Sequence, residues 1–178
     1  WCLFFQFTIG FLFALLFTKK FSFAGPIRGM ILVGYMMPMS VTALLGKNMF
    51  DKSSGVINDL LIRMGLINAP VDWLLQPSTA MAAVIAMNCW VGIPFNMLLL
   101  TSGLDGISTE VLESAEVDGA NIWQRFWLIT IPLMKPAILA VLMLGFIYTF
   151  KAFDLMFIMT AGGPLNSTDV LGTYAYNL

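Results

Sequence analysis

The feature that most constrains this chain is the length of its apolar blocks. Residues 1–18, 29–46, 79–101 and 137–160 are poor in charge, and each is long enough, or nearly so, to cross a hydrocarbon layer about 30 Å thick at about 1.5 Å per residue. Apolar residues of a soluble core do not gather in this way. Of the 178 residues, 59% are hydrophobic and 11% charged, against about 25% charged in a soluble domain, and mean hydropathy is +0.86. A backbone in lipid must satisfy its own hydrogen bonds, so the expected fold class is all-α, a polytopic transmembrane helical bundle forming one domain over 1–178.

Charge and cysteine usage exclude several functions. Nine basic and ten acidic residues give a net charge of -1, so no basic field exists that would gather nucleic acid. There is no His, and Cys2 and Cys89 lie inside apolar blocks, without metal-ligand spacing or a disulfide framework. They read as small buried hydrophobes, and no metal site is expected. The Met-rich second block, with Met30, Met36, Met37 and Met39, reads as deformable packing because no second soft-ligand cluster accompanies it. The chain opens on Trp1 with no charged region ahead of the first block, which argues against a signal peptide and leads us to expect a fragment.

The segments between the blocks differ in kind. Lys19 and Lys20 close the first block and would snorkel into headgroups, and Pro38 would kink the second. Residues 47–77 carry Asp51, Lys52, Ser53, Ser54 and Gly55 and then the amphipathic set Val56, Ile57, Leu60, Leu61 and Met64, which predicts a surface-lying helix within a long loop. Trp73 suits either an interfacial aromatic belt or a packed loop. With four spans, loops 19–29 and 102–136 share one side and hold Lys19, Lys20, Arg28, Arg125 and Lys135. Loops 47–77 and 161–170 share the other and hold Lys47, Lys52 and Arg63. The excess of positive charge assigns the first pair to the cytoplasm and loop 47–77 to the extracytoplasmic side.

Loop 102–136 carries the most information. Residues 103–136 hold five of the ten acidic residues in the pattern of an interrupted helical hairpin. Ser108 or Thr109 can cap a short helix with Glu110 in its first turn, and Gly119 can end it in the left-handed conformation. Asn121 can cap a second helix whose apolar face is Ile122, Trp123, Phe126, Trp127 and Ile129, with Pro132 expected to stop it.

The same residues resemble the permeases of binding-protein-dependent ABC importers, whose cytoplasmic loop reads Glu-Ala-Ala, three residues, Gly, nine residues, Ile, one residue, Leu-Pro. The match is Glu113-Ser114-Ala115, Gly119, Ile129 and Ile131-Pro132, in register, with Ser114 for the first Ala and Ile131 for Leu. Asp118-Gly119-Ala120, Trp123-Gln124-Arg125-Phe126, Phe153-Asp154-Leu155 and Gly162-Gly163-Pro164 are similar to the sugar-uptake branch, closest to the first, maltose- or glycerol-phosphate-permease-like, subunit. The resemblance implies an ABC importer permease fold and a coupling helix within 107–120. Glu113, Ser114, Ala115, Gly119, Ile129 and Pro132 would dock ATPase subunits. It also implies a second permease subunit, an extracytoplasmic solute-binding protein, a multi-pass location in the inner (plasma) membrane of a prokaryote, and a helix missing before Trp1 and part of one after Leu178. Sugars or related polyols are the implied solutes, with glycerol-phosphate-type compounds next.

No phosphate-cradling Gly-x-x-x-x-Gly-Lys-Ser/Thr run occurs, so no cofactor is expected in this chain; ATP and Mg would be bound by the partner ATPase. No nucleophile arrangement supports catalysis, and the chain reads as a non-catalytic subunit. Asn88, Trp90 and Asn96 in the third block and Lys151 and Asp154 in the fourth are the polar and aromatic groups at membrane depth, and are candidates for lining the solute path. The amides could instead hydrogen-bond between helices, and Lys151 and Asp154, three apart on a helical face, could compensate each other. An ion-gradient-driven secondary transporter or channel is the alternative reading.

Overall fold

The computed structural model describes residues 1–18 and 23–176; Lys19 and Lys20 lie outside the described residues. Among the described residues all regular structure is helical, in the order α1 (Cys2–Thr18), α2 (Ala24–Met36), α3 (Met39–Met49), α4 (Val56–Arg63), α5 (Pro77–Asp105), α6 (Thr109–Val117), α7 (Ile122–Arg125), a π-helical turn (Phe126–Thr130), α8 (Ile131–Phe150), α9 (Phe153–Thr160) and α10 (Leu171–Tyr176).

Among the described residues two helical runs are long and apolar enough to cross a membrane, Pro77–Asp105 and Ile122–Thr160; the second takes in α7, the π turn, α8 and α9. Helices α2 and α3 qualify only as a pair, bent by 98° at the break that holds Pro38, and α1 is apolar but 17 residues long. The bend falls within block 29–46, at the proline expected to kink it. Pro38 lacks an N–H for the preceding helix, and its carbonyl instead starts α3 by accepting the Thr42 N–H and hydroxyl.

By contact the chain divides into two compact units. The first holds residues 1–2, 36–91 and 148–178. There α3 packs on α9, and Ala43, Phe50, Ala83, Val84, Met87, Leu155, Met156 and Met159 form the core. Gly46 makes the close approach possible: a Cβ there would lie 2.7 Å from Met87 Cγ and 3.1 Å from Met159 Cε. The 50–76 loop is tied by one buried amide, 3% exposed. Asn58 Nδ2 donates to the Val71 carbonyl at 2.9 Å, and Oδ1 accepts from the Val71 N–H at 3.1 Å and Trp73 Nε1 at 2.8 Å. Trp73 is therefore a packed loop tryptophan, edge-on to Phe50. Helix α4 forms where the apolar pattern places it, yet its buried residue is Asn58, while Val56 and Leu60 are exposed. The amide's four bonded backbone groups and indole outweigh what two aliphatic side chains would gain by turning inward. Cys2 and Cys89 are buried and free, with Cys89 Sγ 3.9 Å from the Cys2 carbonyl.

The second unit holds residues 3–35 and 92–147. Its core is Ala14, Leu100, Leu104, Met134 and Val141. The buried face of α1 carries Gln6, Gly10, Ala14 and Phe17 at steps of three or four, with the two small residues at its middle. In lipid both faces are apolar, so small residues that let backbones approach define the contact. A Cβ on Gly10 would sit 2.7 Å from Asn96 Cβ and 3.1 Å from the Met97 backbone nitrogen, and one on Gly92 would sit 2.2 Å from Gln6 Cδ. At the end of α1, Arg28 donates to the Phe17 carbonyl at 3.2 Å and stands 5.6 Å over its ring, a cation placed at a helix C-terminus.

Candidate functional site

The loop that follows α5 lies wholly in the second unit and is built by a succession of caps. The Gly106 N–H donates to the Ser102 carbonyl and the Ile107 N–H to the Leu104 carbonyl, which closes α5, and Ile107 packs on the core. Ser108 Oγ then accepts from the Glu110 N–H at 3.3 Å, and Glu110 lies in the first turn of α6. At the far end the Gly119 N–H donates to the Glu116 carbonyl and the Ala120 N–H to the Ala115 carbonyl at 2.9 Å, a complete Schellman motif. Gly119 sits in it at φ 83°, and a Cβ there would meet nothing within 4 Å. Its requirement is therefore conformational and not steric.

The chain turns at once into α7 through a reciprocal capping box. The Asn121 N–H donates to Gln124 Oε1 and the Gln124 N–H to Asn121 Oδ1, both at 2.8 Å. Arg125 Nη1 reaches back to Glu116 Oε2 at 2.6 Å and ties α7 to α6. Phe126 anchors the following turn against Phe11, with ring centroids 6.2 Å apart.

Pro132 does not stop this helix: α8 runs on through it and through Pro136 to Phe150. The π turn is the reason. The Ile131 N–H reaches back to the Phe126 carbonyl, and the widened turn makes room for the pyrrolidine ring in the first turn of α8, where a missing N–H costs least.

The site residues foreseen in this loop take different positions. Glu113 and Ser114 are exposed, with Ser114 Oγ donating to the Val111 carbonyl; Gly119 and Pro132 are exposed and Ile129 is half-buried. Ala115 is buried within its own unit and holds α6 down, so it is not part of the outward face. The loop also exposes apolar side chains that the sequence pattern did not reveal: Val117, Ile122 and Trp123 are 88%, 74% and 72% exposed. Asp105, Glu110, Glu113, Glu116 and Asp118 are exposed in the same stretch of chain, and of these carboxylates only Glu116 is in an ion pair among the described residues. The periodicity of Ile122 and Trp123 pointed to a packed face. The signal for exposure was their place beside the helix reversal, too near a cap for a core to reach.

The candidates for a solute path are divided between the two units. Asn88, Trp90, Lys151 and Asp154 fall in the first unit and Asn96 in the second. Asn88 is buried, Trp90 is 57% exposed, and Asn96 is fully buried, its Nδ2 donating to the Gly92 carbonyl at 2.7 Å while Oδ1 has no partner. Lys151 and Asp154 are both exposed and form no ion pair with each other. They do not share a helical face, because the helix breaks between α8 and α9, with Ala152 at φ -72° and ψ 72°. Among the described residues no cluster of His, Cys, Asp or Glu could hold a metal ion.

Residues 6–178 match the family described as binding-protein-dependent transport system inner membrane component. The trehalose/maltose transport system permease protein MalF of Thermococcus litoralis is 33% identical over 169 residues, which cover 95% of this chain and 57% of MalF. The lactose transport system permease protein LacF of Rhizobium radiobacter is 35% identical over 167 residues, or 93% of this chain and 56% of LacF. Among solved structures, a chain of a bacterial alginate ABC transporter in complex with alginate pentasaccharide-bound periplasmic protein superposes with a TM-score of 0.85 at 26% identity, over 99% of this chain and 62% of its own. The chain thus spans little more than half the length of the curated relatives it matches.

Proposed function

The chain belongs to the family of binding-protein-dependent transport system inner membrane components, and from that premise we propose that it serves as a permease subunit of an ATP-driven importer of sugars or related polyols. In this reading α6 is the coupling helix. Residues 107–120 enter a groove of an ATPase subunit, and the ATP and Mg are held there and not in this chain. A second permease subunit completes the pathway, and an extracytoplasmic binding protein delivers the solute. Rigid movement of α6 then carries the ATPase cycle into the membrane helices.

One observation carries the reading: a capped, nine-residue helix stands at a glycine reversal and is braced by the Glu116–Arg125 pair, with Glu113 unpaired and Val117 exposed beside it. Exposed apolar side chains interspersed along the chain with exposed carboxylates suit a groove with an apolar floor and a basic margin. Sugars are favoured as solutes because the similar proteins include trehalose/maltose and lactose permeases. Co-purification of the full-length protein with its ATPase tests the docking. Glu113→Lys and Gly119→Asp are expected to lose the ATPase while membrane insertion is unchanged. Equal recovery from both variants, or no ATPase bound to the unaltered protein, favours a gradient-driven transporter instead.

A further inference from the structure

The first unit contains a cavity of about 510 Å³ that neither the coupling loop nor the foreseen solute-path residues account for. We propose that it is a subsite for an uncharged sugar, the first contact of the solute with this chain; the proposal rests on the importer reading above.

Its walls are the end of α3, the loop after it, and the end of α9 with the segment that follows. Those are the two connections, 47–77 and 161–170, that charge counting placed together on the extracytoplasmic side. The lining combines two surfaces. Leu75, Phe157, Ile158 and Pro164 provide an apolar one, with the Phe157 ring stacked on Phe153 at 5.1 Å. Lys47, Lys52, Asp51 and Asp72 provide a polar one.

The charges decide the ligand class. Two ammonium groups and two carboxylates balance, so no net field favours a phosphate or an acidic sugar. Asp51 is already used, because Oδ1 accepts from the N–H and hydroxyl of both Ser53 and Ser54 at 2.8 to 2.9 Å, which leaves it poorly placed to hold a cation. Lys52 and Asp72 stand 3.8 Å apart, near enough to attract but too far for a direct hydrogen bond, and Lys47 has no ion pair among the described residues. Ammonium donors and a carboxylate acceptor lining the same cavity as an apolar surface match a ring with apolar faces and a rim of hydroxyls.

The far wall is held in an unusual conformation. Ala161 in that wall has φ of 50°, and Leu165 and Asn166, which follow the wall without lining the cavity, have φ of 52° and 59°, a backbone region costly to non-glycine residues that clusters at ligand sites. Hydrogen bonds keep it there: the Thr160 and Thr168 hydroxyls are 2.6 Å apart, and the buried Thr168 also donates to the Gly163 carbonyl at 2.7 Å. A wall fixed in advance loses less entropy when a solute binds.

The test uses the full-length protein assembled with its ATPase in nanodiscs, without binding protein. Amine acylation at Lys47 and Lys52 is read by mass spectrometry against Lys135, with maltose, trehalose and lactose as probes and galacturonate as the anionic control. At about ten times the half-saturating concentration of a bound sugar, acylation of Lys47 is expected to fall about tenfold. Leu75→Trp, which fills the mouth, is expected to abolish the protection, and ATPase recovered in the same sample reports assembly. Lack of protection by all three sugars, equal protection by galacturonate, or protection seen only on adding sugar-free binding protein overturns the subsite and leaves the importer reading standing. Failure of the unaltered protein to recover ATPase removes the importer reading, and the subsite with it.

Discussion

At the scale of single residues, Gly119 shows how a position can be demanding without being crowded. A Cβ there would touch nothing, but φ is 83°, where an L-residue pays about 1–2 kcal/mol. Gly119→Ala is therefore expected to destabilise the α6 reversal by about that amount. Amide exchange should accelerate at Gly119 and Ala120 and stay unchanged in α8, and Gly119→Asn should fall between the two because Asn tolerates this conformation better. Asp51 gives a pH prediction. The Ser54 N–H, the Ser53 and Ser54 hydroxyls and the Ser53 N–H favour its charged form and hold its carboxyl below the usual carboxylate range. A folded pKa below the unfolded one means that the local stabilisation is present above the ordinary Asp range and is lost as pH falls toward the depressed value. Amide protection at Ser53 and Ser54 should hold through the ordinary Asp titration range, disappear only in stronger acid, and be weak at every pH in Asp51→Ala.

Between elements, the α1 face shows why glycines in one helix type are not equivalent. A Cβ added at Gly10 would meet Asn96 Cβ and a backbone nitrogen, neither of which can yield, whereas one at Gly29 would meet nothing within 4 Å. Gly10→Ala is expected to lower the stability of the unit by about 1–3 kcal/mol, as overpacking does. Gly29→Ala should be neutral or slightly stabilising, because the helix loses a flexible residue and gains no clash. Thermal unfolding of the detergent-solubilised full-length protein distinguishes the two; equal shifts would mean that α1 does not pack on α5 as described.

For the whole molecule, the exposed side chains of Val117, Ile122 and Trp123 are the surface on which the importer reading turns. Replacing a buried apolar contact with a charge at an interface centre is severe, so Val117→Asp should reduce recovered ATPase at least about tenfold, a loss of about 1.4 kcal/mol or more. Ser114→Ala, which removes only a hydroxyl bonded to its own helix, should change recovery little. If the two variants behave alike, α6 does not dock through this face.

Much of this was legible in the residues. Apolar block length announced membrane helices, Ser108, Gly119 and Asn121 announced the caps of the loop after α5, and the register from Glu113 to Pro132 announced the family, because these depend on chemistry local to the chain. Other features required contacts between distant segments. Asn58 became the tie of a loop only when Val71 and Trp73 came within hydrogen-bond reach. Ala115 turned inward and Val117 outward according to what lay beneath α6. Lys151 and Asp154 parted when the helix broke at Ala152, and Pro132 passed into α8 because a π turn preceded it. By itself the sequence determined which segments are helical and apolar, since hydration and backbone hydrogen bonding act residue by residue; only the tertiary structure decided which faces are covered, since in a chain apolar all round burial follows from shape and contact and not from polarity.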